Sequence, residues 1–298
     1  MKIAITGGTG LLGTSIVELL KKQKIEYLIL SRQKHSATDN ILTTDYSVKQ
    51  LISIFENVDV IFHLAASRGP KNFIEEYHSD EIITQNIYEA AIKTNVKKVV
   101  YASTISVYSD QEKLPWSEKE STQPVSLYGI SKRSCEMIGN YYAKKYNLQV
   151  VNLRLAHLFG PNEKNNYMIN LFMRKAYHKM TLELHKTSQA KREFLYVKDA
   201  ARAFLHTIEH NDTGTYNIGN SNSRLTNLEV AQKINEVFLN QDNLLIVNPS
   251  EKDSLESSFM DLKYTENSIN FKSIYSFENA LQEIKKSMEE ANSVPIIY

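Results

Sequence analysis

Through its first half the chain alternates short apolar, β-branched runs with longer stretches whose apolar positions recur at helical spacing. Strand-like runs fall at Lys2–Thr6, at residues 27–30, 58–64 and 98–102, and at Gln149–Leu155. Between them, helical patterns span residues 11–22, 48–57 and 81–95, and Leu127–Tyr146. Strands that alternate with helices in this way build βαβ units, whose strands pair in parallel with helices on both faces. The expected class is α/β, a doubly wound parallel sheet. After about residue 160 the pattern loosens, and the polar run that follows Pro161 reads as a crossing point. Two later helical patterns, at 227–239 and 277–291, predict a smaller, partly interleaved C-terminal α/β domain. The division expected is 1–160 and 161–298, with a segment at about 193–220 returning to the first part.

Charge then removes several functions. The 35 basic and 34 acidic residues leave a formal net charge of +1, without the concentrated basic surface that electrostatic nucleic-acid binding needs. The densest basic stretch, Lys21-Lys22-Gln23-Lys24, reads as the solvated end of a helix, where cations suit the dipole. One cysteine, Cys135, cannot make an intramolecular disulfide and fits a reducing compartment. It lies in a helical pattern with no base beside it, so it reads as a small packed side chain. The first residues lack the longer apolar region of a signal peptide, and no run approaches a membrane span. A cytoplasmic location with no membrane partner is expected.

Chemistry enters at Thr6-Gly7-Gly8-Thr9-Gly10-Leu11-Leu12-Gly13, directly after the first strand and opening the first helix. Gly8, Gly10 and Gly13 satisfy G-x-G-x-x-G, and Gly7 adds an alternative spacing. Glycines here permit a tight turn and close backbone approach, so helical N–H groups can hold a pyrophosphate. That context makes the first part a Rossmann-type dinucleotide-binding domain. Its second strand ends at Ser31-Arg32, where an enzyme preferring NAD carries an acidic residue for the ribose 2′-hydroxyl. Serine and a guanidinium can instead bind a 2′-phosphate, which favours NADP, with NAD as the other candidate. Arg32 could equally be a surface residue after a strand.

Tyr128-Gly129-Ile130-Ser131-Lys132 places a phenol and an ammonium one turn apart on one helix face. A phenol is a poor base at neutral pH, and a neighbouring cation favours the phenolate. Such a phenol can take a proton from an alcohol, or give one to a ketone, while hydride moves to or from a nicotinamide. Upstream, Ala102-Ser103-Thr104-Ile105-Ser106-Val107-Tyr108 ends a strand, at the edge where open α/β sheets bind ligands. A hydroxyl there can hold the reacting oxygen, although by itself the segment also suits a turn or helix cap.

With these elements in order, the chain resembles the extended short-chain dehydrogenase/reductase superfamily, the NAD(P)-dependent nucleotide-sugar enzymes that include UDP-galactose 4-epimerase. The resemblance runs over nearly the whole length. It implies cofactor contacts from Gly7, Gly10, Leu11, Leu12 and Gly13, from Asp45 and Tyr46 at the adenine, and from Leu64, Ala65 and Ala66 of His63-Leu64-Ala65-Ala66 beneath the cofactor. It makes Thr104, Tyr128 and Lys132 the catalytic set. Arg192, in Arg192-Glu193-Phe194-Leu195-Tyr196-Val197-Lys198-Asp199, matches an arginine that holds the substrate diphosphate, and His157 stands where many relatives carry asparagine. Relatives commonly pair the helices at 81–95 and 127–146 across a two-fold axis. The second carries Met137, Ile138, Tyr141 and Tyr142, so a homodimer is expected.

Departures shape the choice of reaction. Ser250-Glu251-Lys252-Asp253 occupies the place of an arginine-containing R-x-G-D stretch, which weakens a diphosphate clamp. Ile105 and Ser106 follow Thr104 where a water-eliminating dehydratase has an Asp-Glu pair. The leading expectation is an NADPH-linked keto-sugar reductase acting on a nucleotide sugar, because cellular reductions draw on NADPH. The alternative is a nucleotide-sugar 4-epimerase with the same three groups. A non-catalytic NADP-binding sensor is the reading from another class, and an intact acid/base set argues against it.

Overall fold

β1 (Lys2–Thr6) runs through a glycine turn straight into α1 (Leu11–Gln23), and the chain then repeats that move. β2 (Glu26–Ser31) and β3 (Ile41–Thr43) precede α2 (Val48–Phe55), and β4 (Val60–His63) precedes α3 (His78–Lys93). β5 (Lys98–Thr104), α4 (Leu127–Tyr146) and β6 (Gln149–Leu155) follow. The structure, a computed structural model, describes residues 1–33, 40–67, 72–161, 163–209, 213–248, 256–291 and 293–298.

The later elements are β7 (His157–Phe159), α5 (Met168–Tyr177), β8 (Leu182–Leu184), β9 (Arg192–Tyr196) and α6 (Val197–Glu209). After them come β10 (Gly214–Ile218), β11 (Arg224–Leu225), α7 (Asn227–Val237), β12 (Leu244–Ile246), α8 (Lys263–Ile269) and α9 (Phe277–Glu290). The main sheet has seven strands in the order β10-β6-β5-β4-β1-β2-β3, every pair parallel. β11-β9-β7 and β12-β8 form two small sheets.

Alternation explains how the main sheet is covered on both faces. Ile3 and Ile5 of β1 enter one core, shared with α1 and α6, while Ala4 enters the other, beneath α2, α3 and α4. All seven residues of β5 are buried. The helices stop where local chemistry dictates: α1 closes on Lys24 in the left-handed region, with Lys21 and Lys22 in its last turn at the negative end of the dipole. Cys135 is buried and accepts a hydrogen bond from Thr84 at 3.3 Å, the packed side chain expected. Among the described residues no helix is long and apolar enough to cross a membrane.

Two boundaries differ in an instructive way. β5 runs to Thr104 because Ser103 and Thr104 continue the ladder against Arg154 and Leu155, although hydroxyl residues alone read as a cap. α3 starts at His78, before the expected residue 81, because a short 3-10 turn over Ile74–Tyr77 feeds it. Residues 214–218, far along the chain, return to the main sheet as β10 beside β6.

Candidate active site

The carboxyl ends of β1, β4, β5 and β6 open on a cavity of about 720 Å³, within the range of small-molecule sites. At its first wall, α1 begins on Gly10, which offers no side-chain cap, and the first turn carries no acidic residue. The orphan N–H groups of that turn are therefore left for an anion. Gly7 makes the turn with φ +70°, and a β-carbon on it would stand 2.8 Å from the Ala65 nitrogen. Gly7, Gly10, Leu11, Leu12, Gly13, Leu64 and Ala66 line the cavity, and Ala65 lies just behind. An uncapped helix start beside a glycine turn fits a dinucleotide pyrophosphate.

A buried chain of hydrogen bonds holds this floor. Thr6 Oγ1 accepts the Leu64 and Ala65 N–H groups at 3.1 and 3.0 Å, so its own proton goes to His63 Nδ1 at 2.8 Å. His63 Nε2–H then donates to Thr84 at 2.9 Å. Burial, and after it the Lys132 ammonium, pushes the His63 pKa down to about 3, so the ring is neutral.

The opposite wall is α4. Ser126 caps it by accepting the Gly129 N–H at 3.1 Å, which sets Tyr128 in the first turn and Lys132 one turn later. Lys132 is buried, donates to the Ala102 carbonyl at 2.8 Å, and has Nζ 5.9 Å from the centre of the Tyr128 ring. Thr104, at the end of β5, caps the 3-10 turn Ile105–Val107 by accepting the Ser106 N–H at 3.2 Å. It is both strand end and cap, and it lines the cavity with Tyr128 and Lys132.

His157 and Arg192 lie on the far side. His157 Nε2 is 2.8 Å from Ser258 Oγ, and burial together with Arg192 pushes the ring down to about pKa 4. Arg192 lines the cavity, close enough to His157 for its charge to act on that ring. Ser250-Glu251-Lys252-Asp253 lies outside the described residues.

The remaining expected cofactor residues stand apart from the cavity. Ser31 ends β2 with its hydroxyl accepting the Gln33 N–H, and Arg32 is exposed beside it. Asp45 is exposed and accepts the Ser47 N–H at 2.7 Å, a bond that holds its carboxyl below the usual range. Tyr46 turns its ring into the core, where its hydroxyl donates to the Leu30 carbonyl and burial pushes its pKa up to about 12. Tyr77, Ser106, Tyr167, Asn170 and Phe194 also line the cavity and were not anticipated. Ser106, two residues past Thr104, and Phe194, two past Arg192, lie inside motifs already read from the sequence.

Comparison with known proteins agrees with this geometry. Residues 3–219 match the family model described as the NAD dependent epimerase/dehydratase family. The chain is 46% identical to the UDP-N-acetylglucosamine 4-epimerase of Bacillus cereus, with a TM-score of 0.93 and coverage of 100% of both chains. It is 24% identical to the UDP-glucose 4-epimerase of Thermotoga maritima, TM-score 0.85, over 97% of this chain and 99% of that one, a likeness of fold. A Bacillus subtilis (strain 168) protein described as an uncharacterized UDP-glucose epimerase is 27% identical over 80% of this chain and 82% of its own. The expectation of a keto-sugar reductase finds no support in these matches. The epimerase alternative fits them, since the three groups at the cavity serve either reaction and the end-to-end relative is named for epimerisation.

Proposed function

Because this chain belongs to the NAD dependent epimerase/dehydratase family, we propose that it is a 4-epimerase of UDP-linked sugars, with a UDP-N-acetylhexosamine as substrate. The observation that carries this reading is the 46% identity, over the full length of both chains, to a UDP-N-acetylglucosamine 4-epimerase. Residues 1–160, with the segment at 193–220, hold the dinucleotide, and residues 161–298 hold the sugar nucleotide. When bound, the nicotinamide supplies a reversible hydride acceptor.

Tyr128 takes the proton of the 4-hydroxyl as the carbon becomes a ketone, and returns it after the sugar has presented its other face. Lys132 stands beside the phenol and holds the cofactor ribose in place. Thr104 hydrogen-bonds the reacting oxygen. Arg192 meets the diphosphate, and neutral His157 serves as a hydrogen-bond partner for the substrate. Asp45 and the Tyr46 backbone border the adenine. The reaction is redox-neutral, so cellular NADPH supply no longer bears on cofactor choice, and a preference for NADP rests on Ser31 and Arg32 alone. Two copies of the chain pair through α3 and α4.

Incubation with UDP-N-acetylglucosamine and no added reductant should yield its 4-epimer by chromatography and proton NMR, without a lasting change at the nicotinamide absorbance. Stoichiometric oxidation of NADPH by a 4-keto sugar nucleotide, with no epimer formed, would overturn the proposal. In the same samples, NADP should bind more tightly than NAD, and Arg32→Ala should narrow the gap.

A further inference from the structure

One carboxylate joins the helix of Tyr128 to the strand of Thr104. Glu136, one turn beyond Lys132, is fully buried. Its Oε1 accepts from Ser103 Oγ at 2.5 Å and from Arg154 Nε at 2.9 Å, and its Oε2 from Arg154 Nη2 at 2.8 Å and Arg133 Nη1 at 3.0 Å. Ser103 is the neighbour of Thr104, and Arg154 belongs to the next strand, β6. The chain of donors continues in one direction. Arg154 Nη1 donates to the Tyr108 hydroxyl at 2.6 Å, which donates to Asn217 Oδ1 of β10 at 2.9 Å. Asn217 Nδ2 then reaches the carbonyls of Trp116 at 2.9 Å and Asp261 at 3.2 Å.

That last contact matters because of what the segment holding Asp261 does elsewhere. Its Ser258 meets His157, and it pairs with Arg192 and Glu193 through the Ser258 backbone. The segment that touches both substrate-side groups is therefore tied, through Asn217, Tyr108 and Arg154, to the carboxylate that seats the acid/base helix. A packed polar chain of this kind is stiff, and a bidentate arginine fixes angle as well as distance.

We infer that Glu136, acting through Arg154 and Tyr108, is a positioning residue that sets Tyr128 and Thr104 relative to the substrate-side segment. The role differs from bulk stabilisation. A buried ion pair can be replaced by two apolar side chains with the fold retained, whereas removing one partner alone leaves an uncompensated charge. Apolar replacements keep the packing and lose the angular constraint. A small displacement of reacting groups can cost turnover ~10²-fold.

The test compares the wild type with Tyr108→Phe and with Glu136→Leu combined with Arg154→Met. Both variants should keep NAD affinity and the KM for UDP-N-acetylglucosamine, while kcat falls by about 10- to 100-fold, the range expected for lost alignment. The double variant should melt near the wild-type temperature, so its loss of kcat would not reflect lost folding. Wild-type kcat in the double variant, or a loss seen in KM alone, would overturn the inference. Should the double variant fail to fold, Tyr108→Phe decides alone, and wild-type kcat there overturns it. The inference rests on the epimerase reading, but the two fail separately. An inactive wild type sinks the reaction, and an active wild type matched by both variants sinks only the positioning role.

Discussion

Lys132 commits one of its three donors to the Ala102 carbonyl, while the side chain lies buried at the cavity wall. Two donors remain, and on the proposed reading they serve the phenol beside it and a cofactor ribose. Its removal should therefore differ in kind from removal of the phenol. Tyr128→Phe should lower kcat by ~10²–10⁴-fold and leave NAD affinity almost unchanged, because general acid–base catalysis is what it loses. Lys132→Met should lower turnover and NAD affinity together. Steady-state epimerisation and fluorescence titration of NADH check both. Near wild-type turnover in Tyr128→Phe would move the proton to another group, with His157 the next candidate. His157 would be a weak one: a ring held down to about pKa 4 carries no proton to donate as a cation near neutrality.

Among the elements, α3 and α4 leave large apolar side chains uncovered. Ile82 of α3 and Ile130, Met137 and Tyr141 of α4 are all exposed by 43% or more, and the last three share one side of α4 at helical spacing. Tyr142, expected on that face, is instead core, stacked between Tyr88 and Tyr146 with ring centres 5.5 and 5.7 Å away. A self-complementary face of this kind suits a two-fold pair. Light scattering at micromolar concentration should give a dimer, and Met137→Glu should give a monomer. A monomeric wild type would contradict the pairing. The same elements show what spacing can reveal. α4 was legible end to end because Ser126, the apolar period and Asn147 agree on its limits. The three-residue strands β3, β7 and β8 were not, since three positions carry too little alternation to count. The burial of the Tyr46 ring was not legible either. Its φ of +60° turns the ring inward, and no neighbouring residue in the sequence signals that turn.

At the scale of the whole molecule, motif and geometry part company. The glycine loop and the tyrosine–lysine pair are local patterns, so they could be read from a single chain. The Glu136 chain of hydrogen bonds could not, because apart from Arg133, three residues away, its partners lie from 18 to 109 residues apart and spacing holds no record of them. The substrate side is equally non-local, with Ser258 brought to His157 across 101 residues. Return of β10 to the main sheet has a consequence for how the protein is made. While the ribosome is still producing residues 161–213, β6 is an edge strand with a row of unpaired backbone groups, and α1 lacks the cover of α6. A nascent or proteolysed chain that stops near residue 160 is thus left sticky on one edge and one face, open to pairing with its own kind. The half that carries the glycine loop matures only once α6 and β10 have been delivered.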